Sequence, residues 1–172
     1  MAFSAIGSLV PYGGPVLRSQ IVTGSVTLSV NDSVKLVSGF VSLGTTGVTV
    51  FGHVSGIRTA LGSGMQSTGA TGAGFGSFVG TFATASDNTT VAMVQAEVDI
   101  SQFTLYSAEV DVAIATTTGS NLAGYRMDLA DEDTLDESTA ATSTAQYGTW
   151  GVDPYNSAQA VVNIFESSVF NT

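Results

Sequence analysis

The sequence predicts a mainly β protein: a compact antiparallel β-sandwich or barrel, with a long glycine-rich loop and an extended apolar N-terminal arm. Three observations predict it. Short runs alternate apolar and polar residues, most clearly Val94-Gln-Ala-Glu-Val-Asp-Ile100, where Val94, Ala96, Val98 and Ile100 share one face and Gln95, Glu97 and Asp99 the other. Gly, Asn, Asp and Ser punctuate these runs at close spacing, as turns between short strands require. Helix signals are nearly absent. Only Asp131–Thr142 offers acidic caps for a short turn, and its threonines argue against anything longer.

Composition sets the size and the chemistry. A chain of 172 residues suits one domain, or one domain plus a terminal arm. At this length about 70% of the unfolded chain's surface can be buried, so a core forms without covalent staples. Only 10% of residues are charged, against about 25% in an average soluble domain; Ser, Thr, Gly and Ala fill the difference. Fourteen acids face four bases, Arg18, Lys35, Arg58 and Arg126, for a net charge of −10. Phosphate backbones repel such a chain, and the bases form no stripe, so nucleic acid is not an expected partner. With no cysteine there are no disulfides and no thiolate chemistry. The first ten residues lack the positive start of a secretory signal and run into Pro11. No apolar run reaches the 18 residues of a membrane span.

Taken in order, residues 1–19 are apolar, punctuated by Gly and Pro, and without period: Phe3, Ile6, Leu9, Val10, Tyr12, Val16 and Leu17. Such a segment packs either as a first strand and loop of its own domain or as an arm on a partner. The arm reading makes Phe3, Ile6, Leu9, Val10 and Tyr12 partner contacts. Residues 20–172 then form the β domain. Ser25-Val-Thr-Leu-Ser-Val30 alternates, Asn31-Asp32 turns, and Val34-Lys-Leu-Val37, Phe40-Val-Ser-Leu43 and Val48-Thr-Val-Phe51 follow as short strands. The glycine-rich segment 62–80 reads as a mobile loop, or as a linker joining β halves 20–61 and 81–172. Phe75 and Phe78 within it tuck back onto the domain or join the partner contacts. After Val94–Ile100, Glu109-Val-Asp-Val-Ala-Ile114 alternates again through Val110, Val112 and Ile114. Strand-like pieces around 121–129 and 145–153 flank a loop holding Asp131, Glu132, Asp133, Asp136 and Glu137. Ala160-Val-Val-Asn-Ile-Phe-Glu166 is the last strand.

Reactive constellations are missing from the pattern. The single histidine, His53, sits between strand residues and reads as structural or surface rather than as a catalytic base. No Ser has Gly two residues to each side, so a nucleophile elbow is absent. The glycine run lacks the Lys-Ser/Thr ending of a phosphate cradle. One His and no Cys leave no zinc site. The acidic run from Asp128 to Glu137 has hard oxygens for Ca²⁺, but the sixth position counted from Asp131 is Asp136 and not Gly. It reads as a solvated loop held apart by repulsion, with Ca²⁺ as the open alternative. No catalytic residue, metal or cofactor is expected.

Three stretches carry a resemblance. Thr116-Thr-Thr-Gly-Ser-Asn-Leu-Ala-Gly-Tyr125, then Leu135-Asp-Glu-Ser-Thr139, then Tyr147-Gly-Thr-Trp-Gly-Val-Asp-Pro154 together resemble the C-terminal part of tailed-bacteriophage head decoration (cement) proteins and related phage structural proteins. Asp32-Ser-Val-Lys-Leu-Val37 and Val50-Phe-Gly-His-Val-Ser-Gly56 are similar to the small β-barrel repeats of such proteins. The resemblance leaves out residues 1–19 and the glycine segment. It implies a non-enzymatic virion protein on the outer capsid surface, bound to the major capsid protein, as a homo-oligomer with a trimer favoured. Two other readings of the residues stand beside it. One is a head-fibre or tail adhesion module that binds host glycans through Tyr147, Trp150 and Tyr155. The other is a self-assembling extracellular fibre subunit in which residues 1–19 donate a strand to the next copy.

Overall fold

A computed structural model describes residues 3–11, 14–59, 77–91, 94–111, 123–136 and 146–165. The protein is mainly β, as its alternating runs predict. In chain order the elements are β1 (Phe3–Ser8), β2 (Leu17–Ile21), β3 (Thr27–Ser29), β4 (Ser33–Val37), β5 (Phe40–Leu43), β6 (Gly52–Thr59), β7 (Ser77–Val79), β8 (Thr81–Ala83), the helical turn α1 (Asn88–Val91), β9 (Val94–Asp99), β10 (Thr104–Val110), β11 (Arg126–Leu129), β12 (Thr134–Asp136), β13 (Tyr147–Asp153) and β14 (Asn156–Ile164).

Two sheets close on themselves. In the first ring the order β2-β9-β6-β4-β5 is shut by a parallel bridge between Val22 and Val41. In the second, β10-β12-β11-β13-β14 is shut by β14 pairing back onto β10. Five strands cannot alternate direction all the way round, so each ring needs one parallel pair. That pair is β2 with β5 in the first ring and β10 with β12 in the second.

The two rings are wired alike. Within each, the first strand lies parallel to the third and antiparallel to the fifth. The second strand pairs with the third and the fourth, and the fourth pairs with the fifth. The registers also correspond. Val22 beside Val41 matches Val110 beside Leu135, and Leu36 opposite Val41 matches Leu129 opposite Leu135. Thr23 N–H donates to Val41 O and Asp111 N–H to Leu135 O. Both fourth strands bulge just before a glycine, between Val54 and Gly56 and between Thr149 and Gly151. Following the ladders superposes Val94-Gln-Ala-Glu-Val-Asp-Ile100 on Ala158-Gln-Ala-Val-Val-Asn-Ile164, where Gln, Ala, Val and Ile coincide.

Each ring fills its own interior, as small barrels do. Val22, Leu28, Val34, Val41, Val54, Ile57, Ala96 and Val98 belong to the first core. Phe3, Tyr106, Ala108, Met127, Leu129, Leu135, Tyr147, Val162 and Ile164 belong to the second. β3 and β8 pair as a short ribbon, which brings Leu28 and Phe82 to the first core.

Several expectations change here. Residues 3–8 are not a detached arm: β1 pairs antiparallel with β10 from Phe3–Ala108 to Ser8–Thr104, and Phe3 is fully buried. An aromatic side chain gains more from a core than from solvent, so this one anchors the segment. The segment 62–80 does not join two halves. β6 and β9, on either side of it, pair with each other along most of their length, so the chain leaves and re-enters the same ring. The boundary between the rings falls at residues 100–104, where β9 passes to β10. The acidic stretch is a hairpin turn, because Thr134–Asp136 is a strand whose Leu135 is fully buried; no helix forms over 131–136. Asp99, expected on a wet face, is buried. Val110 points inward as expected, from a strand that begins earlier, at Thr104. Val112, Ile114, Glu137 and residues 60–76 lie outside the described residues.

Candidate functional site

Three places concentrate chemistry, and the first is the seam between the rings. His53 of β6 is buried and packs against Phe3, Tyr106 and Tyr147, with ring centroids 4.3, 4.2 and 5.7 Å away. Its Nε2 lies 3.2 Å from the Tyr147 hydroxyl, which also meets Ser33 Oγ at 2.7 Å. Tyr106 donates to Asp99 Oδ2 at 2.7 Å, while Asp99 Oδ1 accepts from the Val16 and Ser101 amides. Burial lowers the His53 pKa to about 3, against a weaker opposing pull from the Asn31 backbone. Burial likewise raises both tyrosines above their ordinary value, with Asp99 adding to the effect at Tyr106. At neutral pH His53 is therefore a neutral imidazole, and among the described residues its Nδ1 makes no hydrogen bond. This cluster ties the rings together. Ser33 N–H to Glu132 O, Thr46 Oγ1 to Leu129 O, and Gln146 Nε2 to the Thr45 and Val48 carbonyls extend it.

The second is an apolar strip. Ile6, Val10, Val16 and Leu17 are all about 40–50% exposed or more, and so is Phe103. Leu9 N–H donates to Phe103 O, and Ile100 N–H donates to Val16 O, so these residues follow the β9–β10 connection. Leu9 itself is half-buried. Beside the strip, β2 pairs with β9 on one edge; on the other, the Val22–Val41 bridge, the Thr23 N–H bond to Val41 O and the Gln20 side-chain bond to Gly39 O tie its far end to β5 and the turn before it. Among the described residues no strand covers that edge over residues 17–20. In the second ring the matching edge of β10 is covered by β1.

The third is an open cleft of about 350 Å³, lined by Gly124, Tyr125, Arg126, Gly148, Thr149, Trp150, Asn163 and Phe165. Trp150 is the bulge residue of β13, followed by Gly151 at φ 129°, and it is 56% exposed. Its indole N–H donates to Asn163 Oδ1 at 2.8 Å. Asn163 is itself fixed, since its amide donates to Gln102 O and Ile164 O. The Arg126 guanidinium lies 3.7 Å above the Phe165 ring. Thr149 N–H and Oγ1 both donate to Tyr125 O, which holds Tyr125 alongside. A Cβ on Gly148 would sit 3.2 Å from Asn163 Oδ1, so the glycine keeps the floor open.

The residues expected to contact a partner separate. Ile6 and Val10 are exposed, Leu9 is half-buried, and Phe3 faces inward. Phe78 lies on β7 opposite Arg58. Tyr12 and Phe75 lie outside the described residues. Of the residues expected to meet glycans, Trp150 is in the cleft, Tyr155 is 97% exposed at the β13–β14 turn, and Tyr147 is buried and unavailable. Tyr125, Arg126, Asn163 and Phe165 do not stand out as a group in the sequence, because they meet only when three strands pair. Among the described residues no three His, Asp or Glu side chains are placed to hold a metal ion. In the acidic turn Asp131 accepts from the Asp133 amide and from Thr134 Oγ1. Comparisons with protein families, with characterised proteins and with solved structures give no match for this chain.

Proposed function

We propose that the chain is a non-enzymatic virion structural protein of the phage head-decoration kind. It binds the outside of an assembled capsid and bridges subunits of the major capsid protein, acting as a homo-oligomer, with a trimer favoured. The observation that carries this reading is the apolar strip of Ile6, Val10, Phe103, Val16 and Leu17 beside the open edge of β2. Contiguous exposed apolar surface marks an interaction site. An open strand edge adds backbone hydrogen bonds to whatever extended segment lies along it. At about 25 cal/mol per Å², a few hundred Å² buried per copy yields several kcal/mol before ordering costs. Repeated over a shell, that gain resists internal pressure. The acidic surface and dispersed bases keep the protein off packaged nucleic acid.

Deleting the whole N-terminal segment would remove Phe3 from the core, so point changes give the cleaner test. Ile6→Asp with Leu17→Asp should abolish binding to preformed heads and the rise in head disruption temperature, while the protein's own melting temperature stays within a few degrees. Full binding by this variant would overturn the proposal.

A further inference from the structure

We propose that the cleft around Trp150 binds a pyranose unit of a polysaccharide, independently of how the protein docks on its particle. The lining is of two kinds, and a sugar needs both. Trp150, Tyr125 and Phe165 present aromatic faces at the surface, each more than 40% exposed. The faces of pyranose rings carry C–H groups that stack on such planes. Beside them stand the Arg126 guanidinium, a donor for hydroxyls, and the second lone pair of Asn163 Oδ1, an acceptor. A volume near 350 Å³ lies at the small end of ligand pockets, enough for one or two sugar units.

The site is also held in shape before any ligand arrives. The Trp150–Asn163–Gln102 chain of hydrogen bonds fixes the indole, the Arg126–Phe165 stack fixes the guanidinium, and the two Thr149 bonds to Tyr125 O hold the backbone from which the third wall projects. Ordering costs are thus met in the folded protein, which favours a weakly held polar ligand.

Comparison of the rings supplies the independent observation. The first-ring positions matching Arg126, Gly148, Asn163 and Phe165 are Ser33, His53, Asp99 and Ser101. All four are buried, and Ser33, His53 and Asp99 bond or stack with tyrosines of the second ring. The same end of the second ring is open, and there the hydroxyls and carboxylate give way to aromatics, Arg and Asn. An end that closed on another barrel would carry the first ring's set of small polar residues; this one carries the set that suits sugars.

Trp150 is the sole tryptophan of the chain, so intrinsic fluorescence reports on this cleft alone. The full chain is titrated with malto-, chito-, galacto- and galacturono-hexaose at up to millimolar concentration. At least one should change Trp150 emission saturably. Tyr125→Ala should weaken that response about tenfold or more, with an unchanged melting temperature. Ser55→Ala, at the matching bulge of the first ring, should leave it intact. Calorimetry with Trp150→Ala should show binding lost. The proposal fails if none of the four changes the emission, or if Tyr125→Ala and Trp150→Ala bind as the parent does. It fails equally if emission shifts only with protein concentration, which would make the cleft a contact between copies.

Discussion

The two rings of this chain have one wiring and two fates. In the first, the end formed by Ser33, His53 and Asp99 is sealed against its neighbour. In the second, the matching end is an open cleft walled by Trp150, Tyr125 and Phe165. The first-strand edges differ in the opposite sense: β10 is covered by β1, whereas β2 lies open beside the apolar strip. A barrel of five short strands fixes which residues point inward and leaves its ends and edges free to vary. What each copy does is set by what covers those ends and edges. The bulge shows this at one residue. It places Ser55 at the surface of one ring and Trp150 at the surface of the other.

The largest expected effect tests where the N-terminal strand belongs. Phe3→Ala should cost about 3–5 kcal/mol in denaturant unfolding, because it empties a site stacked on Tyr147 at 5.2 Å and packed against the tilted His53 ring at 4.3 Å. Ile6→Ala, three residues on and half exposed, should cost under about 0.5 kcal/mol. Equal costs would return the segment to the status of a loose arm.

The next effect separates the sealed end from the open one by pH. The folded pKa of His53 lies near 3, below its ordinary 6.5. Between those values the unfolded chain binds the proton and the folded chain does not. The seam's contribution is therefore complete above pH 6.5 and drains away as pH falls toward 3, by on the order of 5 kcal/mol in total. His53→Gln should flatten the stability profile over that window when melting is followed at successive pH values. An unchanged slope would show that the seam does not hold the rings together.

The smallest effect has the opposite sign. Burial, with Glu132 and Asp133 nearby, raises Asp32 to about 6 despite its bond from the Ser29 amide. A raised carboxyl favours the folded state below its unfolded value of 3.8 and loses that contribution as pH climbs through 6. Asp32→Asn keeps the acceptor and removes the charge. It should stabilise the protein by about 1 kcal/mol above pH 7 once solvent screening is allowed for, and by nothing near pH 3.8. Destabilisation at neutral pH would mean that the carboxylate itself is needed at the seam.

Much of the fold is legible in the residues. Val94–Ile100 and Ala160–Ile164 read as strands because their alternation survives any environment that buries one face. The likeness of Val94-Gln-Ala-Glu-Val-Asp-Ile100 to Ala158-Gln-Ala-Val-Val-Asn-Ile164 was a visible sign of two copies. It is easily passed over, because the fourth and fifth strands are joined by a tight turn in one ring and by a long excursion in the other. Trp150 and Tyr155 were legible as exposed aromatics in a turn-rich stretch. Tyr147, three residues before the bulge and similar in type, is not legible as core, since nothing local tells an inward aromatic from an outward one.

Alternation and turn residues alone determine that this chain is β and where most of its strands lie. Each of those depends on a residue and its near neighbours. Only the tertiary structure decides that Phe3 is core, that His53 and Asp99 are sealed between barrels, and that Arg126, Trp150 and Asn163 share a cleft. Those facts depend on ladders between residues far apart in sequence, and on which end of each ring the other ring happens to cover.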